Sequence, residues 1–270
     1  MPKLAANLSM MFTEHDFLAR FERAARHGFR GVEFLFPYEH IPQSIAEALA
    51  AAGGIEIVLF NLPPGDWQAG ERGLAGLPGR EAEFRDALEE ALRYAEVLGC
   101  RRLHAMHGIP ATGGSYDRSD CRVSYIQNLR HAARRAQKQD IEVLIEPLNQ
   151  RDVPGYPLNT QREAREVVLA VGEPNLRIQF DMYHCQIVEG DLTMTFKEVQ
   201  PYVGHIQIAG VPERHEPSVG EARYEYLLGM LDAEGYDGWV GCEYRPAAGT
   251  AEGLGWAEHY GISSAPGAVR

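Results

Sequence analysis

Four stretches decide the fold: IEVLIEP (141–147), LRIQFDMYH (176–184), HIQIAG (205–210) and WVGCEYRP (239–246). Each is a short apolar run, rich in β-branched or aromatic residues, that reaches a polar side chain: Glu146, Asp181, Gln207 and Glu243. Runs of this length read as buried strands, and the segments between them carry apolar residues at helical spacing. These are TQREAREVVLAVG (160–172), LTMTFKEVQPY (192–202) and RYEYLLGMLDAEG (223–235). Strand, helix, strand in strict alternation predicts a parallel sheet, because only a crossover connection can return the chain to the same end.

The same alternation continues toward the N-terminus. KLAANLS (3–9), GVEFLF (31–36), IEIVLFNLP (55–63) and RRLHAMHG (101–108) read as strands. HDFLARFERAARHG (15–28), IPQSIAEALAAAG (41–53), EAEFRDALEEALRYAEVLG (81–99) and SDCRVSYIQNLRHAARRAQKQ (119–139) read as the helices that follow them. Eight strands with seven intervening helices in 270 residues predict one α/β domain over residues 1–270, a single (β/α)8 TIM barrel. A doubly wound sheet is the rival, but no G-x-G-x-x-G follows the first strand and there is no P-loop. The long Gly-rich stretch GDWQAGERGLAGLPGR (65–80) reads as a loop that closes over the barrel mouth.

Composition narrows the partners. The hydrophobic fraction is 45%, and 26 Lys and Arg against 38 Asp and Glu leave a net charge of −12, which repels nucleic acid and anionic lipid. The four cysteines lie far apart, with no C-x-x-C pair, so reduced thiols and a cytoplasmic location are expected. No signal-peptide h-region and no membrane-length apolar run is present. A small-molecule partner is therefore expected, with homo-oligomerisation left open.

In a parallel barrel, chemistry gathers at the C-terminal ends of several strands. Glu146, Asp181, Gln207 and Glu243 sit on four consecutive strands, so closing the barrel brings them together. Three carboxylates above a low-dielectric core repel one another unless a proton or a cation intervenes. Four oxygen donors without a thiolate suit a hard divalent ion, Mg²⁺ first and Mn²⁺ second. For each carboxylate the competing role is an ordinary helix N-cap. His184 accompanies the cluster as a substrate contact, whereas His104, His107 and His205 read as structural. Arg214, just past strand seven, and Arg245, just past strand eight, are placed to meet a substrate carboxylate, Arg214 being favoured.

These residues resemble the hydroxypyruvate isomerase family, which includes the 2-oxo-tetronate isomerases, within the xylose-isomerase-like barrel superfamily. NLSMMF (7–12), GVEFLFPYE (31–39), FNLPPGDW (60–67), IEPLNQRDVPGY (145–156), QFDMYHCQ (179–186), HIQIAGVPERHEP (205–217) and GCEYRP (241–246) carry the resemblance over essentially the whole chain. It implies Glu146 and Glu243 as the acid/base pair, and Glu146, Asp181, Gln207 and Glu243 as ligands of a divalent metal. It further implies an isomerase of small hydroxy-oxo acids working through an enediolate. A ketose 3-epimerase acting on neutral sugars and a non-catalytic barrel that binds a small acid are the alternatives.

Overall fold

The computed structural model describes residues 1–110 and 116–267. Eight strands close into one parallel barrel in sequence order: β1 (Lys3–Asn7), β2 (Gly31–Phe34), β3 (Glu56–Asn61), β4 (Arg102–His104), β5 (Glu142–Ile145), β6 (Leu176–Asp181), β7 (Val203–Ile208) and β8 (Trp239–Cys242). β8 pairs with β1 through Lys3–Trp239, Leu4–Val240, Ala5–Gly241 and Ala6–Cys242, which leaves no open sheet edge.

The helices form the outer layer: α1 (Phe17–Arg26), α2 (Pro42–Ala51), α3 (Glu81–Leu98), α4 (Arg118–Gln137), α5 (Gln161–Val171), α6 (Met182–Val188), α7 (Leu192–Val199), α8 (Tyr224–Ala233) and α9 (Thr250–Gly253). Their ends follow local chemistry. Thr160 and Glu163 form a reciprocal capping box at the start of α5, and Gly172 ends that helix at φ +72°, a conformation glycine adopts without Cβ strain. A cap of this kind contributes about 1 kcal/mol. Among the described residues no helix is long and apolar enough to cross a membrane.

Two layers of core follow from the period-two alternation of strands. Outward-facing residues such as Ile178, Phe180, Ile206 and Val240 join the large cluster under the helices, where Phe180 meets Phe196 of α7 edge to face. A separate small cluster of Ala5, Val58, Leu59, Leu144 and Trp239 lies on the other face, inside the barrel. Climbing two or four residues along the same face leads from Ala5 to Asn7, from Leu144 to Glu146 and from Trp239 to Glu243. The lumen is thus apolar below and polar above, and the polar end is the C-terminal mouth.

Two sequence boundaries are corrected. β6 ends at Asp181, so His184 is not on a strand: residues 182–188 turn at once into α6, which the periodicity of a seven-residue element was too short to show. β4 ends at His104, and His107 instead forms an isolated antiparallel bridge with Gly73. That bridge, together with backbone hydrogen bonds from Gly76 to His107 and from Gly108 to Arg72, sews the 65–80 loop to the end of β4. A Cβ at Gly76 would lie 2.1 Å from the His107 ring, so this close approach needs glycine. Trp67 on the same loop packs edge-on against Phe36 and under the Arg72 guanidinium, 3.7 Å from the ring centroid.

Candidate active site

The barrel brings Glu146, Asp181, Gln207 and Glu243 to one end of the lumen, all buried. Each arrives from a different strand: Glu146 one residue past β5, Asp181 as the last residue of β6, Gln207 within β7, Glu243 one residue past β8. β6 and β7 place Asp181 opposite Gln207, and β7 and β8 place Gln207 opposite Gly241.

Asp181 performs both roles that a carboxylate in its position can take. Its Oδ1 accepts the Tyr183 backbone N–H at 2.7 Å and so caps α6. Its Oδ2 has no hydrogen-bond partner, although it is fully buried. Glu146 Oε1 is orphaned in the same way. A buried acceptor without a donor costs roughly 1–3 kcal/mol, so two of them converging mark a place built for a cation. His184 completes the group: Glu146, Asp181 and His184 each offer a ligand atom within 4.8 Å of the others. The His184 Nδ1 is engaged by Asn149, whose backbone N–H lies at 3.2 Å, which leaves Nε2 facing Asp181 Oδ2 at 3.5 Å and Glu146 Oε1 at 4.0 Å. Because Nδ1 accepts that N–H, the neutral ring carries its proton on Nε2, so His184 turns a donor rather than a lone pair toward the acid pair.

The other two expected ligands are held differently. Gln207 donates its Nε2 to Glu33 Oε1 at 2.8 Å and accepts at Oε1 from Gln179 Nε2 at 2.6 Å. Glu243 Oε2 accepts from Arg214 Nη2 at 2.6 Å. The same guanidinium lies 3.5 Å from Asp181 Oδ2 and 3.4 Å from Asp152 Oδ2, and stacks over Tyr183 at 4.8 Å. Arg214 is therefore in the site, as the sequence placed it, but among acidic side chains. Arg245 is exposed, and its backbone joins that of Arg214 and the His215 ring.

Charge follows burial. Desolvation, with Glu243 and Asp181 nearby, pushes Glu146 well above the usual carboxylate range, Arg214 and Gln179 acting in the other direction. Burial likewise raises Asp181 to about 6 and Glu243 to about 8, each moderated by Arg214. Burial pulls His104 down to about 3 and, helped by Arg214 and His104, holds His184 well below its ordinary value, so both rings are neutral near pH 7. Burial also works against the charge on Arg214, but Glu243, Asp181, Glu146 and Asp152 outweigh it and keep the guanidinium ionised. Cys185 and Cys242 border the site as free, buried thiols whose ionisation burial opposes, which removes them as nucleophiles.

Several site residues escaped the sequence reading. His104 sits 3.6 Å from Glu146 Oε2 with both ring nitrogens otherwise unpartnered. Asn7 Nδ2 reaches Glu33 Oε1 at 3.0 Å and Glu243 Oε1 at 3.3 Å. Glu33 and His205 meet at 2.6 Å at the centre of the lumen. The signal that could have found them was the alternation itself, since Asn7, Glu33, Gln179 and His205 are polar residues inside apolar strands.

Comparison with known proteins agrees with this fold. Residues 21–260 match the family described as xylose isomerase-like TIM barrel. The chain is 58% identical over 261 residues to a 2-oxo-tetronate isomerase of Cupriavidus necator, covering 96% of this chain and 99% of that protein. It is 46% identical over 260 residues to the hydroxypyruvate isomerase of Escherichia coli K12, covering 96% and 100%. A crystal structure from Brucella melitensis, described as an AP endonuclease of family 2, superposes with a TM-score of 0.93 at 50% identity over 96% of this chain and 99% of that one. The chain belongs to the xylose isomerase-like TIM barrel family, in the hydroxypyruvate isomerase group that includes the 2-oxo-tetronate isomerases, and is an enzyme of the isomerase class.

Proposed function

We propose that the protein interconverts a small 2-oxo-3-hydroxy acid with its isomer by moving a proton between adjacent carbons. The observation that carries this is the pair of buried glutamates, Glu146 and Glu243, set around Asp181 and Arg214 at the barrel mouth. The substrate is a four-carbon 2-oxo-tetronate or its three-carbon analogue hydroxypyruvate, whose product is 2-hydroxy-3-oxopropanoate. The four-carbon acid stands first, because the relative named for it is 58% identical and the one named for hydroxypyruvate 46%.

Arg214 favours the carboxylate form of Glu243 against the burial that raises it to about 8, and the carboxylate is the form that removes a proton from carbon. The proton returns to the neighbouring carbon from that carboxyl, or from Glu146 across the mouth. Proton removal gives an enediolate, and the 65–80 loop sewn to the end of β4 keeps bulk water from it. The Arg214 charge also lets an anionic substrate approach a mouth lined with carboxylates. Glu146 and Asp181, with Gln207 and Glu243 in the same mouth, would hold Mg²⁺ or Mn²⁺, which supplies Lewis-acid polarisation of the substrate oxygens, while the His184 Nε2–H beside them donates to substrate.

A substrate panel tests the proposal: 2-oxo-tetronate, hydroxypyruvate and neutral ketoses, each with Mg²⁺, with Mn²⁺ and after chelation. Turnover of the acids with solvent deuterium entering the carbon that gains hydrogen is expected. Turnover confined to neutral ketoses would replace this reading with the epimerase one, and no turnover with intact acid binding would leave a binding barrel.

A further inference from the structure

Directly beneath the mouth, three donors converge on one buried carboxylate. His205 Nε2 meets Glu33 Oε2 at 2.6 Å, while Gln207 Nε2 and Asn7 Nδ2 meet Glu33 Oε1 at 2.8 and 3.0 Å. Glu33 is 1% exposed and His205 is fully buried. The space is reserved for it: a Cβ at Gly241 of β8 would fall 2.2 Å from Glu33 Oε2. None of these groups is accounted for by proton transfer at Glu146 and Glu243.

A carboxylate accepts hydrogen bonds and donates none, whereas a carboxamide has one accepting and one donating end. Glu33 therefore fixes which way the Gln207 amide is turned, with NH₂ on Glu33 and the oxygen away from it, where one lone pair accepts from Gln179 Nε2 at 2.6 Å. Asn7 is fixed likewise, since its Oδ1 is taken by the Ser9 backbone N–H at 3.1 Å and its NH₂ is shared between Glu33 and Glu243. Against a carboxylate the Nε2 of His205 carries the proton, and its Nδ1 has no partner.

We infer that Glu33 is a positioning residue that sets the polarity of the donor chain under the site, keeping the Gln207 oxygen, with the lone pair Gln179 does not use, on the side away from Glu33 and tethering Glu243 through Asn7. This rests on the proposed cation site, because an amide oxygen with a spare lone pair serves a cation and an NH₂ in its place does not. Glu33→Gln changes one atom and reverses the chain. The oxygen of the introduced amide goes on accepting from His205, its NH₂ faces Gln207, the Gln207 amide turns over to offer it its oxygen, and Gln179, whose own oxygen is free, turns to accept the Gln207 NH₂.

Mn²⁺ titration followed by electron paramagnetic resonance tests this without turnover. Glu33→Gln is expected to weaken Mn²⁺ binding about 10–100-fold, the range for loss of a residue that orients a ligand. The exchange Glu33→Gln with Gln207→Glu restores a donor below and an oxygen above, and is expected to recover most of that loss. Parent-like Mn²⁺ affinity in Glu33→Gln, or a folded exchange variant with no recovery, overturns the inference. A parent that takes up no Mn²⁺ overturns the cation reading instead. The inference is then judged on protein labelled with ¹⁵N-glutamine, where the Gln207 carboxamide signal is identified by its loss in Gln207→Glu. Its protons should exchange slowly in the parent and faster in Glu33→Gln, and equal rates would overturn it.

Discussion

The two halves of the barrel contribute to the mouth in opposite ways. β5 to β8 deliver their acidic groups at or just beyond the strand ends, where the side chains Glu146, Asp181 and Glu243 face the mouth and two of their oxygens accept no hydrogen bond. β1 and β2 deliver Asn7 and Glu33 to the layer below, where the Glu33 oxygens are met by donors. The acids Glu146 and Asp181 are left electrostatically incomplete, and the Glu33 carboxylate beneath them is satisfied. Reactive and ligating groups need unspent acceptors and shifted proton affinities, whereas the groups that aim them need every hydrogen bond filled.

The largest test of this contrast is Glu146→Gln or Glu243→Gln, each an isosteric change in the incomplete half. A loss of about 10²–10⁴-fold in kcat is expected, the usual contribution of a positioned acid or base. Activity within a few-fold of the parent would place the chemistry elsewhere.

Removing the cation that nature did put among the acids comes next. Arg214→Met leaves Glu243 and Asp181 buried without their guanidinium, and breaking such a buried pair costs about 3–5 kcal/mol. Urea unfolding of chelated protein reads this directly, and added Mn²⁺ should return part of it. A stability unchanged from the parent would mean the guanidinium does not compensate these acids.

The pH dependence of the chelated protein sharpens the comparison further. Asp181 and Glu243 are raised by burial from ordinary values of 3.8 and 4.5 to about 6 and about 8, so the folded state binds protons that the unfolded chain has lost. Their contribution is full below about pH 4 and is lost as pH rises through 6 and then 8. His104 and His184 act in the opposite sense, but only below their ordinary 6.5. Between pH 6.5 and 8.5, therefore, stability without a cation should fall, by at most about 1.4 kcal/mol per pH unit per proton. Saturating Mg²⁺ should flatten the slope, and a thermal midpoint that rises with pH in chelator would contradict the assignment.

The smallest effect belongs to neither half. Arg135 of α4 grips Glu89 of α3 through two hydrogen bonds of 2.7 and 2.8 Å on the surface. Arg135→Ala should cost under about 1 kcal/mol in urea unfolding, because water screens the pair.

The barrel and the four strand-end residues were legible because their signals are local. An apolar run of four to six residues followed by a helical period reads in one dimension, and a charged residue at its end stands out against it. Glu33 stands in GVEFLF just as plainly, yet a polar residue near a strand end can face the lumen, the helices or a loop, and only register decides which. β1 pairs Asn7 with Glu33, and β2, β7 and β8 together place His205, Gln207 and Gly241 around its carboxylate. His184 was placed on a strand because α6 is a seven-residue helix nucleated by the Asp181 cap, a contact between neighbours that periodicity does not register.

The sequence by itself determined the eightfold alternation, the closed parallel sheet and the acids at its mouth, since these depend on spacing along the chain. Closure of β8 onto β1 decided the rest. It brought Asn7 and Glu33 from the first two strands within hydrogen-bond reach of Gln207 and Glu243 from the last two, more than 170 residues away, a proximity that follows from barrel register.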